Sequence, residues 1–118
     1  MESKNAEAPF EELMRKWSII IIKDLFLGCK RFNDFLEMNP NISSKVLSDQ
    51  LKRLEKYGYL EKKVVSTTPL KAEYSLTKKG HDLNKIIYEM ILFAGKYWIS
   101  EKDCKKYENM DFKKIFGI

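Results

Sequence analysis

The sequence predicts a mainly α-helical domain carrying one small β-hairpin, and three observations carry that prediction. Apolar residues recur at helical spacing over residues 46–54 and again over 83–98. Between them, residues 59–76 switch to short runs of strand-type side chains around a polar break that contains Pro69. Gly28 and Gly58 stand where two helical patterns stop. The 118 residues hold no repeat, linker or low-complexity tract, and they suffice for a single modest core. One domain over residues 1–118 is expected.

Residues 1–8 are polar and without period, and are expected to form a flexible arm. Pro9, Glu11 and Glu12 suit a first helical turn, since proline lacks the donor that turn cannot use and carboxylates face its positive end. A single first helix is therefore expected over residues 9–28. Ile19–Ile22 has strand propensity, but an apolar stretch of this length without turn residues favours a helix, and one buried on nearly every side. Phe32–Leu36 predicts a short second helix and Asn39-Pro40-Asn41 a turn. Over residues 43–57, Ser43 is an N-cap and Ile42 packs on Leu47 as a staple, while Val46, Leu47, Leu51 and Leu54 form a core-facing stripe. The hairpin follows over residues 59–76, its tip at Ser66–Leu70. Thr77 caps a last long helix over residues 77–100, apolar on more than one face. A tail over residues 101–118 mixes charges with Tyr107, Phe112, Ile115 and Phe116 and holds at most one further short helix.

Composition narrows the function. The formal charge of +5 suits a nucleic-acid partner without requiring one. The longest apolar run, Ile19–Ile22, is far below the roughly 20 residues of a membrane span. The opening Met1-Glu2-Ser3-Lys4-Asn5 lacks a secretory pattern. A cytoplasmic protein without membrane contact is expected. Cys29 and Cys104 read as reduced thiols, Cys29 half-buried and structural. His81 is alone and reads as solvated, so neither a metal centre nor general-base chemistry is indicated. No residue set names a cofactor or a small-molecule effector, and an enzyme is not expected. Trp17, Tyr88, Phe93, Tyr97 and Trp98 fit either a ligand pocket or, more simply, core and interface packing.

The placement of charge is more telling. From Ser43 to Lys71 seven cations face three acids, a net +4 out of +5 for the chain. Helix, short helix, capped helix and hairpin is the order of a winged helix-turn-helix, whose third helix enters the major groove of double-stranded DNA. With the apolar stripe inward, Ser44, Lys45, Ser48, Asp49, Lys52 and Arg53 face outward next to the cap Ser43, and Lys62, Lys63 and Lys71 arm the wing. Asp49 either accepts from a cytosine amino group or orients Lys45, Lys52 or Arg53. Arg31 either clamps a phosphate or sits on the surface without a partner. The competing reading is a winged-helix module that binds another protein and not DNA.

Several strings resemble one family. Lys16-Trp17, Ile20-Ile21-Ile22, Leu25, Gly28 and Arg31-Phe32 are similar to the opening motif of HxlR-type regulators, which are MarR-like winged-helix proteins. Ile42-Ser43, Leu47, Leu51, Leu54, Glu55 and Gly58 resemble their reading helix. Pro69, Glu73-Tyr74-Ser75-Leu76-Thr77 and Gly80 resemble their wing and the start of the last helix. The resemblance implies transcription regulation, most simply repression, by a homodimer on pseudo-palindromic DNA. The N- and C-terminal helices would form the dimer contact, with Trp17, Ile87, Ile91, Phe93 and Trp98 as its residues. Arg15 departs from the family's usual glycine. Redox-sensing members carry an N-terminal cysteine, and residues 1–14 contain none, so thiol sensing is not carried over.

Overall fold

The computed structural model describes residues 5–98 and 107–118. Its elements are α1 (Ala8–Leu13), α2 (Ser18–Phe26), α3 (Phe32–Met38), α4 (Ser44–Lys56), β1 (Leu60–Thr67), β2 (Leu70–Leu76), α5 (Lys78–His81), α6 (Asn84–Tyr97) and, in the tail, α7 (Phe112–Ile115). The result is a winged helix-turn-helix. Its first four residues, part of the expected arm, lie outside the described residues, and by Ala8 the chain is already helical.

The single helix expected over 9–28 is two helices. Trp17 takes a left-handed backbone, φ 81°, and breaks the run. For a bulky residue that conformation costs about 1–2 kcal/mol, so surrounding contacts must hold it. They do: Glu12, on α1, receives the Tyr59 hydroxyl on its carboxylate at 2.6 Å and an Arg53 N–H on its carbonyl at 2.9 Å. A straight continuation of α2 would carry α1 away from both. Nor is α2 buried all round. Ile21 and Ile22 are fully buried whereas Ile20 is 36% exposed. Its buried face also holds Asp24, which accepts from Asn39 Nδ2 at 2.7 Å and pairs with Lys23 at 3.4 Å; a carboxylate so enclosed requires such partners.

Gly28 ends α2 with φ +108°. Asp34 then accepts the backbone N–H groups of Lys30 and Arg31, at 3.0 and 2.9 Å, and fixes the start of α3. These bonds hold the Asp34 carboxyl below its ordinary pKa. The Ser43 hydroxyl accepts from Val46 N–H at 3.1 Å as the expected cap of α4, and Leu47, Leu51 and Leu54 enter the core. Val46 does not. It is 38% exposed, because it lies one position off the leucine stripe and looks toward the α1–α2 turn.

β1 and β2 pair antiparallel from Leu60↔Leu76 to Thr67↔Leu70, with a bulge between Val64 and Ser66, so the strands reach further toward the tip than the expected loop allowed. Only the hairpin's root is buried: Tyr59 is 3% exposed and Leu60 1%. Tyr74 N–H donates to the Lys30 carbonyl at 2.7 Å, fastening the wing to the start of α3.

The long helix expected over 77–100 is also divided. The Thr77 hydroxyl accepts from Gly80 N–H at 3.2 Å and donates to the Gly58 carbonyl, so α5 belongs to the hairpin's root. Leu83 turns into the core between α5 and α6, and α6 ends at Tyr97. Residues 99–106, and with them Cys104, lie outside the described residues. The end of the tail is part of the core. Phe116 is 1% exposed, its ring 4.6 Å from that of Phe26, and its carbonyl accepts from Asn84 Nδ2 at 2.8 Å.

Candidate nucleic-acid interface

α4 is defined at both ends, capped by Ser43 and closed by Gly58 at φ +85°. Its inner face is leucine. The outward stripe carries Ser44, Lys45, Asp49 and Lys52, all exposed, with Ser48 half-exposed between them. Of the three cations offered to Asp49, Lys45 takes it, at 3.4 Å with both side chains largely in solvent. Such a pair contributes little to stability and yields readily to another partner. Lys62, Lys63 and Lys71 are exposed along the wing.

Arg53 corrects the expectation of an outward side chain. Its Nη1 donates to the Glu12 carbonyl at 2.9 Å, and its Nη2 donates to Ser18 Oγ and Gln50 Oε1. The guanidinium lies 5.7 Å from the Tyr57 ring centre. Burial first, then the charge of Arg15, lower its pKa from the ordinary arginine value. The physical reason is the helix break: α1 and Ser18 supply acceptors beside α4 that a single straight helix would not. Arg53→Ala is therefore expected to cost roughly 2–3 kcal/mol, the scale of lost charge-assisted bonds that also strand buried Ser18. Chemical denaturation of the variant measures this.

Arg31 has a partner after all. Its Nη2 lies 3.5 Å from Glu73 Oε2, and Glu73 faces Lys63 across the hairpin. The contact links the start of α3 to the wing, while half the Arg31 side chain stays accessible.

Among the residues expected at a dimer contact, Ile87 is corrected. At 1% exposure within one chain it has no surface left to give, because it closes the core beneath α6. Trp17 and Ile91 are half-buried against the core edge. Phe93 and Trp98 are 56% and 64% exposed, and with Tyr97 they form a ring cluster at 5.3–6.0 Å separations. A cavity of about 430 Å³ lies between α2 and α6; of the aromatic set weighed as ligand lining, only Trp98 reaches it.

Cys29 is 8% exposed, more deeply buried than expected, and its thiol is pushed up to about 11, first by burial and then by Asp24 and Asp34. It remains protonated, hence unreactive, near neutral pH. His81 is exposed, its ring edge-on to Phe26 at 5.5 Å. Among the described residues no three His, Cys, Asp or Glu side chains converge, and no helix is long and apolar enough to cross a membrane.

Sequence reasoning passed over Arg15 and Lys16 as interface residues. Both are exposed beside the flank of α4, in the turn that the unforeseen helix break creates. Two adjacent cations before Trp17 were the available signal.

Residues 12–103 match the family described as HxlR-like helix-turn-helix. The HTH-type transcriptional regulator YodB of Bacillus subtilis is 38% identical over 91 residues, which is 77% of this chain and 81% of YodB. The solved structure of reduced YodB superposes with a TM-score of 0.68 at 37% identity, covering 83% of this chain and 96% of that one. The redox regulator HypR in its oxidised form superposes with a TM-score of 0.74 at 32% identity, covering 80% and 97%. These relatives are transcriptional regulators and not enzymes.

Proposed function

Because the chain belongs to the HxlR-like helix-turn-helix family of transcriptional regulators, we propose that it binds a specific double-stranded DNA operator as a homodimer and represses the promoter it covers. One observation carries the reading. The side of α4 turned away from the core presents Ser44, Lys45, Ser48 and Lys52, hydroxyls and long cations suited to base edges and phosphates. The wing lysines Lys62, Lys63 and Lys71, with the accessible half of Arg31, supply further phosphate contacts.

The exposed aromatic cluster of α6 supports pairing of two chains, since a patch of such rings is stabilised by burial against its own copy. A dimer would set its two reading helices about one duplex turn, ~34 Å, apart and would favour pseudo-palindromic sites. Trp17, Ile91, Phe93 and Trp98 remain in the proposed contact. Thiol switching is not proposed, since the buried, protonated Cys29 is a poor nucleophile.

Selection from a random duplex pool, followed by titration of the winning site, tests the proposal. Lys52→Ala combined with Ser48→Ala is expected to weaken cognate binding about tenfold or more, with an unchanged melting temperature. No enrichment, together with no duplex affinity at low salt, would instead assign the protein-binding reading.

A further inference from the structure

We infer that the groove between the α1–α2 turn and the adjoining flank of α4 receives a DNA backbone phosphate, with Arg15 as the principal contact and Lys16 beside it. The inference rests on the duplex-binding reading above and adds to it a contact outside the reading stripe and the wing.

The groove measures about 750 Å³, and Arg15, Lys16, Ser43, Asp49, Gln50 and Arg53 are among its lining. Three of these are cations and one is an acid, and Asp49 already faces Lys45. The Arg53 guanidinium donates to a backbone carbonyl, a hydroxyl and an amide, none of them a carboxylate. The nearest carboxylate on α1, Glu12, is engaged by Tyr59 at 2.6 Å and Lys79 at 3.7 Å. The Arg15 side chain is exposed and makes no hydrogen bond or ion pair among the described residues, its backbone carbonyl alone accepting from Ser18 N–H. Arg15 and Arg53 therefore meet as like charges: after burial, Arg15 is the next cause that lowers the Arg53 pKa, and Tyr57 and Glu12 offset it only in part. An anion placed between them would relieve the repulsion.

Position identifies the anion. A helix about 10–12 Å across fills a major groove about 12 Å wide, so the two phosphate backbones must run along its flanks. On α4, Lys45, Ser48 and Lys52 mark the stripe that points into the groove, and Val46, Gln50 and Arg53 mark the flank beside it. The Ser43 oxygen accepts from Val46 N–H, which leaves its hydroxyl proton free for a phosphate oxygen.

The test compares Arg15→Ala, Arg15→Lys and Arg15→Glu with the parent in duplex titrations at several salt concentrations, using both the selected site and an unrelated duplex. Arg15→Ala is expected to weaken both about three- to tenfold, leaving their ratio unchanged. The slope of log K against log salt should become shallower by about 0.9, the share of one phosphate. Arg15→Lys should restore most of the slope, Arg15→Glu should weaken binding further, and none should lower the melting temperature. Unchanged affinity and slope in Arg15→Ala, while the Ser48/Lys52 variant still binds weakly, would overturn this inference alone. A parent that ignores duplexes at low salt would overturn it together with the reading beneath it.

Discussion

Gly80→Ala is expected to destabilise the fold by roughly 3 kcal/mol, although the substitution improves helix propensity in α5. A Cβ at this position would collide with the Tyr59 carbonyl oxygen and lie 2.9 Å from Leu76 Cδ2. Neither obstacle retreats easily. The Tyr59 carbonyl accepts from Thr77 N–H at 3.1 Å, and Tyr59 and Leu60 are themselves in the core. Relief requires parting α5 from the hairpin's root, which breaks the Thr77 bonds to Gly58 and Gly80 as well. Urea unfolding of the variant decides the matter: an unchanged or raised midpoint would mean that the close approach does not exist.

Phe116→Ala is expected to cost about 3–5 kcal/mol, the range for removing a fully buried ring whose surroundings collapse only partly. The ring sits 4.6 Å from Phe26, 6.4 Å from Tyr88 and 6.5 Å from Phe112, closing the core against both α2 and α6. Thermal unfolding checks it, and a melting temperature equal to the parent's would show that the tail contributes no packing. Conservative Phe116→Leu should recover much of the loss, since most of the volume returns.

The elements legible in the sequence are those whose signals are local. Ser43 and Thr77 cap through their own side chains, Gly58 supplies a positive φ, and the leucines at 47, 51 and 54 mark one helix face. Each depends on neighbours within a turn or two. What escaped the sequence depends on distant partners. Trp17 carries no local mark of a left-handed backbone; Arg53 of α4 and Tyr59 at the wing's root impose it by holding Glu12 of α1. The division at Asp82-Leu83 goes with Gly80 fitted closely against Tyr59 and Leu83 turned into the core, and Phe116 docks between α2 and α6. At the candidate interface the outward stripe of α4 and the wing lysines were readable from charge and period. The inward turn of Arg53, the partner of Arg31 and the exposure of Arg15 and Lys16 beside α4 followed from the break no periodicity announced.

The wing is a cantilever. It is clamped where Tyr74 meets Lys30 and where Leu60 enters the core, while Val64, Val65 and Leu70 project beyond the clamp with solvent on their outer faces. A load at the free end, such as a strand of DNA pressing on Lys71, is carried back along the paired backbone as a bending moment. It is delivered through the 2.7 Å bond to the loop that opens α3. The hairpin tip and the helix-turn-helix are thus mechanically in series, and a push on one strains the other.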